Sequence, residues 1–373
     1  MNNSKAGSYG KLIAFFLVAV IVLCAFGFAV EGWQTRDNTS GTNSGINTPG
    51  NTQGGDNQSS SALPVPVPEP EPPKPPEHTD YITGLEISAE EAGIKHICFT
   101  VDSLAPLYGI HGAQMIIEIP IENNDTRYLV FKRESKSIGK IGSIAPTRAY
   151  ISTLAKSFSS VLVSLGADDT VNYSATDISG MHFDLTKNTG YSYSEYSKYH
   201  YSNGELISAG LTNSGISVLR PTTHVMPYNF TEFFAEATKG NMPAQSVTLP
   251  YGDTASTSLS YSQQNSTYIL SKNGSTKLDT LTDSALEFTN VFVLFADSVT
   301  YEGEGGSEMV MNTTGSGKGV YLTAGTAQNI SWISDASGAM TFLDESGKIL
   351  TVNRGTSYIG FVKSAKMNDV KFS

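Results

Sequence analysis

The sequence predicts an α+β protein that is held at a membrane by its N-terminus. Three features of the chain predict this: a long apolar segment near the start, a strand–turn–strand–helix pattern between Ile116 and Lys156, and short β-type runs after residue 240. We therefore expect a mixed α/β domain over residues 79–240. A β-rich domain is expected over residues 241–373.

Residues 12–30 form the predicted membrane anchor, because they read LIAFFLVAVIVLCAFGFAV without a charged side chain. As a helix this segment spans about 28 Å, close to the hydrocarbon thickness of a bilayer. Lysines before it and acidic residues after it predict a cytoplasmic N-terminus at 1–11 and an extracytoplasmic remainder, by the positive-inside rule. Two alternatives stay open: cleavage of a secretory signal near residues 27–29, and a lipid anchor on Cys24, although Leu23 is larger than a lipidation signal requires.

Residues 31–78 are predicted to be a stalk. The part up to about Ala62 is rich in Asn, Thr, Gly and Ser, and it cannot bury enough apolar surface to offset its chain entropy. The part from Leu63 to Pro76 reads LPVPVPEPEPPKPP, which favours an extended polyproline II spacer. We expect this stalk to hold the folded part away from the membrane.

Composition excludes several classes of function. The net charge of −11 and the charged fraction of 16% argue against a basic surface for nucleic acid. Outside the apolar segment the sole cysteine is Cys98, within an apolar run, so we expect a buried thiol and no disulfide framework. The six histidines show no ligand spacing, and we expect neither a metal nor a cofactor. The segment Gly315–Lys318 lacks the spacing of a phosphate-binding loop and predicts a glycine hairpin.

The stretch from Ile116 to Lys156 places charges within a strongly patterned apolar sequence. Isoleucines alternate with polar residues over 117–121, Asn123 to Asp125 favours a turn, and 127–131 predicts the returning strand. A helix pattern then begins near Pro146, with one apolar face formed by Tyr150, Ile151, Leu154 and Phe158. A further apolar strand over 160–165 suggests a βαβ unit, and hence a partly parallel sheet.

Six residues are candidate site residues. A carboxylate at the end of a strand, such as Asp102, often lies at a sheet edge where ligands bind, and as often forms a turn or helix cap. Two glutamates on the predicted strand are about 13 Å apart at the backbone, wider than the acid–base pair of a glycosidase, so one of them pairing with an arginine is the competing interpretation. The candidate catalytic residues are Glu118, Glu122 and Asp102; the candidate ligand-binding residues are Arg127, Arg148 and Tyr201.

Tyr201 lies in a tyrosine-rich segment from Gly190 to Gly204, which reads GYSYSEYSKYHYSNG. Such a segment can bind sugar rings or peptides through flat faces and hydroxyls, or simply pack on the domain. Further along, Thr231 to Thr238 predicts a short helix, and the runs from residue 246 onward predict a β-meander.

These residues also carry a resemblance to the DUF3048 family, the YerB-like bacterial envelope lipoproteins. The resemblance extends from Thr83 to Val362 and is clearest in the C-terminal part. The matching positions are Glu118, Pro120, Glu122, Thr126, Arg127, Ile141, Gly142, Arg148 and Tyr150, then Asn290–Val293, Thr314–Gly319, Ile330–Trp332, Phe342–Lys348 and Asn353–Gly355. The chain departs from the family pattern at seven positions. The family has glycines where this chain has Asn123 and Asn124, an arginine at Ala145, a proline at Ala149, and histidines at Ser164, Lys198 and Lys277.

Two functions are compatible with the sequence. The first is a binding or scaffold protein at the cell envelope, which contacts wall polymer or another envelope protein and has no nucleic-acid partner. The second is a hydrolase of a wall glycan, peptide or ester, with carboxylates as acid and base and an arginine that binds an anionic group. Convergence of the candidate side chains in one cleft would favour the hydrolase, and their burial as closed pairs would favour the scaffold.

Overall fold

A computed structural model describes residues 73–133, 137–167, 178, 180–196, 198–221, 225–303, 306–335 and 338–373. The predicted anchor and the stalk up to residue 72 lie outside these residues. Within the described residues, no helix combines the length and the apolar character needed to cross a bilayer. The chain from Glu71 to Ser373 forms one compact unit.

This unit contains both helices and strands, as the predicted α+β class requires, but it is mostly β. The described residues contain three α-helices, α1 Ala89–Ala92, α2 Ala149–Ser157 and α3 Gly204–Asn213. The helix predicted over Thr231–Thr238 does not form, because Phe234 takes a left-handed φ of 64° that a helix does not accommodate. The amide of Thr238 instead donates to the side chain of Asn353.

The strands are numbered in chain order. Those before residue 240 are β1 Ile97–Asp102, β2 Met115–Pro120, β3 Thr126–Lys132, β4 Ile141–Ile144, β5 Val161–Ser164, β6 His182–Asp184, β7 Tyr193–Glu195, β8 Tyr199–Ser202 and β9 Asn229–Phe230. The next are β10 Met242–Pro243, β11 Ser246–Pro250, β12 Ser256–Ser262, β13 Thr267–Lys272, β14 Ser275–Thr276, β15 Leu278–Asp279, β16 Ser284–Ala285, β17 Glu287–Phe288 and β18 Asn290–Ala296. The last are β19 Ser298–Gly303, β20 Gly306–Met311, β21 Gly315–Thr323, β22 Thr326–Ser334, β23 Met340–Leu343, β24 Thr351–Val352, β25 Ser357–Lys363 and β26 Lys371–Phe372.

One large sheet runs through both halves of the unit, in the order β10-β22-β21-β18-β25-β2-β3-β1-β4-β8-β7. The late strand β25 lies between β18 and β2 and is parallel to both. The predicted βαβ unit is wrong, because β3 is antiparallel to β1 while β5 is parallel to β1. The predicted partly parallel sheet is correct, since β1, β5 and β6 are parallel neighbours.

The predicted turn after β2 forms with the expected chemistry. Asn123 and Asn124 take φ values of 59° and 61°, the left-handed region that asparagine tolerates better than most residues. The chain then returns as β3, and Glu118 lies opposite Tyr128 in the antiparallel register. This hairpin places the two candidate glutamates.

Two cores cover the two faces of the large sheet. On one face, Ile116 and Val291 pack against Val247 and Leu259 of a second sheet, whose order is β14-β13-β12-β11-β26 with β17 also on β13. On the opposite face lies helix α2. Its predicted apolar side chains are all buried against that face: Tyr150, Ile151, Leu154 and Phe158. Burial of each side chain of this size stabilises the fold by about 1.5–3 kcal/mol.

The glycine-rich segment Gly315–Lys318 is not a hairpin but the start of strand β21. Glycine is needed at Gly317 because a Cβ there would lie 2.4 Å from the carbonyl oxygen of Phe295 and 2.5 Å from Nε1 of Trp332. These two groups are themselves hydrogen-bonded across 3.1 Å. The glycine therefore permits close packing and does not mark a turn.

Candidate functional site

Glu118 lies at the centre of a closed polar cluster between the two sheets. It is fully buried on β2. Its Oε1 accepts from Nζ of Lys272 at 2.5 Å and from Oγ1 of Thr126 at 2.7 Å. Its Oε2 accepts from the hydroxyl of Tyr358 and from Oγ1 of Thr257 at 2.9 Å. Both carboxylate oxygens are therefore fully engaged by protein donors.

The cluster joins distant parts of the chain. Lys272 lies on β13 of the second sheet, 154 positions after Glu118. Its side chain is 5% exposed, and the ammonium group also donates to Thr126 at 2.7 Å. Burial, together with the negative charge of Glu118, raises the pKa of Tyr358 well above its ordinary value, so this hydroxyl stays a donor. The arrangement can tie the two sheets together, and it leaves no carboxylate oxygen for proton transfer to a substrate.

Glu122 forms a second ion pair. It follows β2 in a short 3₁₀ turn, and its Oε1 pairs with Nη2 of Arg148 immediately before α2. The Arg148 side chain is 3% exposed, against 19% for Glu122. One glutamate pairing with an arginine was the competing interpretation of the sequence, and the pair forms through Arg148.

The two glutamates lie on opposite faces of the large sheet. Ile116 and Glu118 share the face that packs on the second sheet, because alternate residues of a strand point the same way. Glu122 reaches toward α2, which packs on the other face with Ile117. The structure therefore does not bring Glu118 and Glu122 into one cleft.

Asp102 and Arg127 are neighbours in the register of β1 and β3. Oδ1 of Asp102 accepts from the amide of Leu104 at 2.9 Å, which is the turn-forming role of a strand-end aspartate. Arg127 makes no ion pair with the described part of the chain, and it is half-buried. The binding role of Arg127 stays a prediction.

Tyr201 is buried, and it supports a surface instead of forming one. Its side chain is 2% exposed. The Lys140 ammonium lies 4.0 Å from its ring centroid and 3.8 Å from that of Tyr108, and it pairs with Glu195 at 2.9 Å. This stack forms the base of the β7–β8 hairpin.

Three tyrosines of that hairpin reach solvent at least in part and form a surface that we call the tyrosine ledge, defined by Tyr193, Tyr196 and Tyr199. Tyr193 is 37% exposed and Tyr196 is 90% exposed, and Tyr199 is half-buried. The ring centroid of Tyr193 lies 6.1 Å from that of Tyr201 below it. Strand β7 ends the strand order of the large sheet, so the ledge lies at a sheet edge.

Two further polar groups were not found from the sequence. Oγ of Ser164, the last residue of β5, lies 2.8 Å from Nε2 of His182, the first residue of the parallel strand β6. Burial lowers the pKa of His182, while Asp184 acts in the opposite direction. Ser164 is fully buried and is also 2.9 Å from the carbonyl of Gly166, so this pair joins two strands. The alternation of His182 and Asp184 within one strand was the available signal, but it does not identify the partner.

The other group surrounds Asp80, which is also fully buried. Its Oδ2 lies 3.1 Å from Nε2 of His96 and 3.0 Å from Nη1 of Arg133. Burial alone raises the pKa of Asp80, but the hydrogen bond and charge of His96 and two backbone amides outweigh it, so the pKa lies well below its ordinary value. Among the described residues, no cluster of three or more His, Cys, Asp or Glu side chains could hold a metal ion.

Comparison with known families covers both halves of the compact unit. Residues 83–217 match the DUF3048 N-terminal domain, and residues 247–359 match the DUF3048 C-terminal domain, each described as belonging to a protein of unknown function. The chain belongs to the DUF3048 family. Glu118, Arg148 and Lys272 of this DUF3048 protein all lie within the matched segments.

The fold is similar to that of the YerB protein from Bacillus subtilis, whose crystal structure is known. The TM-score is 0.67 at 19% sequence identity, and the similarity covers 79% of this chain and 99% of that chain. At this identity the likeness establishes the fold alone. A search of curated proteins gives no significant match.

Proposed function

We propose that this DUF3048 protein is a membrane-anchored, extracytoplasmic binding or scaffold protein of the bacterial cell envelope. In this proposal the segment 12–30 is the anchor and the stalk holds the compact unit away from the membrane. The ligand is wall polymer or another envelope protein, and of these we favour a wall glycan. The tyrosine ledge is the observation that carries the binding role.

The ledge has the chemistry of a carbohydrate-binding surface. Tyrosine combines a large flat apolar face with a hydroxyl that can donate or accept, which suits the faces and hydroxyls of a sugar ring. The Lys140 stack holds the base of the hairpin, so little side-chain entropy is lost there on binding. The exposed rings of Tyr193 and Tyr196 are then available to a polymer that passes along the sheet edge.

The alternative function, a hydrolase of a wall glycan, peptide or ester, has weaker support. An acid–base pair of carboxylates must flank one scissile bond at roughly 5–9.5 Å from each other. Glu118 and Glu122 lie on opposite faces of the sheet, and each is paired with its own cation. The pairing of each glutamate with a different cation favours the binding role.

Co-sedimentation with isolated bacterial cell walls tests the proposal. The fragment 71–373 is suitable because it is one compact unit with its own cores. We expect Tyr193→Ala with Tyr196→Ala to weaken binding roughly tenfold, since two stacking aromatic side chains are lost.

The matched control is Tyr301→Ala, which removes a tyrosine that is 40% exposed on strand β19. It should bind as the unchanged fragment does. The double variant should also unfold within about 1 kcal/mol of the unchanged fragment, because Tyr196 is 90% exposed and Tyr193 loses mainly its cross-strand pair with Tyr201. Equal wall binding by all three proteins would refute the ledge as the binding surface.

A further inference from the structure

A groove of about 450 Å³ opens in the C-terminal half, away from the tyrosine ledge. Residues on two hairpin turns line it, Ser266 between β12 and β13 and Ala324 between β21 and β22. Tyr261, Phe234 and Arg354 complete the part of the lining that matters here. Binding sites commonly form where loops on a rigid β scaffold meet in this way.

Arg354 is held in a fixed position in this groove. The Cζ atom of its guanidinium group lies 3.6 Å from the ring centroid of Phe233 and 5.7 Å from that of Phe230. Its Nη1 donates to the carbonyl oxygen of Gly84. A guanidinium group held by stacking and one hydrogen bond is preorganised for a further acceptor.

Arg354 has no ion-pair partner among the described residues. Two other arginines of the unit are paired, Arg133 with Asp80 and Arg148 with Glu122. By contrast Arg354 forms no ion pair with any described residue. Its Nε is also shielded from water without an acceptor. Burial lowers the pKa of Arg354, which reflects the same lack of compensation. A partly desolvated arginine without an ion-pair partner can bind an anion.

Phe234 supplies an apolar surface beside that charge. It is 67% exposed, and it takes a left-handed φ of 64°, which is costly for a bulky residue. Its ring centroid lies 6.0 Å from that of Phe233, and most of the ring surface is open to contact with a ligand. The ring of Tyr261 lines the same groove.

One acidic residue limits the class of anion. Glu232 also lines the groove, is exposed and makes no ion pair with Arg354. Its charge repels a dianion such as phosphate more strongly than a single carboxylate. The charge balance of the groove therefore favours a monoanion.

We propose that this groove binds a carboxylate that is attached next to an apolar or aromatic group, as in the C-terminal residue of a peptide. Arg354 binds the carboxylate, and Phe234 and Tyr261 contact the apolar group. The site is separate from the tyrosine ledge, and it stands or falls independently of the wall-binding proposal.

The test is an NMR titration of the ¹⁵N-labelled fragment 71–373 with N-acetyl-phenylalanine and with its amide. We expect the acid to shift the backbone amides of Ser266, Ala324 and Arg354, and to bind about tenfold or more tightly than the amide, since a charge-assisted hydrogen bond is lost in the amide. Equal binding of acid and amide, shifts elsewhere in the protein, or no shift at millimolar concentrations would each overturn the proposal. Inorganic phosphate displacing the acid at equal concentration would overturn the assignment to a carboxylate.

Variants separate the two parts of the site. Arg354→Gln should abolish the preference for the acid, and Arg220→Gln, which removes an arginine stacked 4.1 Å from the ring of Tyr81, should leave it unchanged. Phe234→Ala should weaken the binding of both the acid and the amide severalfold. It should not destabilise the fold, because the ring is exposed. If Arg354→Gln fails to fold because its bond to Gly84 is lost, the acid–amide contrast and Phe234→Ala still decide the outcome.

Discussion

The Glu118 cluster and the Arg354 groove differ in how far a charged side chain is paired within the protein. Glu118 is fully buried, and its two oxygens accept from one cation and three hydroxyls. Arg354 is half-buried, with one hydrogen-bond acceptor and no ion-pair partner among the described residues. A charge that is fully satisfied inside the protein contributes to the fold, whereas a charge that is left open can still bind a ligand.

The largest effect should come from breaking the closed cluster. Lys272→Met removes the cation and leaves the carboxylate of Glu118 buried without compensation, which should cost about 3–5 kcal/mol of unfolding free energy. Urea denaturation of the fragment 71–373 measures this. Lys371→Met, at an exposed position on β26, is the control. A loss of unfolding free energy below about 1 kcal/mol would show that the cluster does not stabilise the fold, and the contrast with Arg354 would fail.

Asp80 extends the comparison to a second closed charge and to its pH dependence. Because the folded-state pKa of Asp80 is lowered, its stabilising contribution is present above the ordinary aspartate pKa of about 3.9 and is lost as pH falls below that value. We expect Asp80→Asn to cost about 1.5–3 kcal/mol at pH 7, as a charged hydrogen-bonded group is lost. The variant should then lose less stability than the unchanged protein when pH is lowered below about 4.

Melting temperatures of both proteins at several pH values test this expectation. The exposed Asp253→Asn serves as the control and should follow the unchanged protein. If the melting temperatures of Asp80→Asn and of the unchanged protein fall equally as pH is lowered, Asp80 does not cause this pH dependence.

The smallest of the three effects is expected at the more exposed pair. Glu122→Gln removes the carboxylate that pairs with Arg148, but Glu122 is 19% exposed, so water offsets part of the loss. We expect a cost of about 1–3 kcal/mol, measured by thermal unfolding beside the exposed control Glu86→Gln. An unchanged or higher melting temperature would place Glu122 with Arg354 among the charges kept for binding.

Local patterns predicted the elements around Glu118 well. The alternating isoleucines, the asparagine turn and the apolar helix face correspond to β2, the left-handed Asn123 and Asn124, and α2. These features depend on neighbours within a few residues, which a pattern can reveal. The prediction that β3 and β5 are parallel was wrong. Both strands pair with β1, in opposite directions, which neither periodicity nor spacing indicates.

The sequence by itself determined the apolar segment at 12–30, the strands β2 and β3 with the turn between them, the apolar face of α2 and the burial of Cys98. Only the tertiary structure decided the partners of the charged residues. Glu118 and Lys272 are 154 positions apart and meet because two sheets pack face to face, while Glu118 and Glu122 are four positions apart and lie on opposite faces. The reason is physical: β2 ends at Pro120, so its alternation does not extend to Glu122 in the following turn, and the packing of separate sheets decides what Glu118 meets.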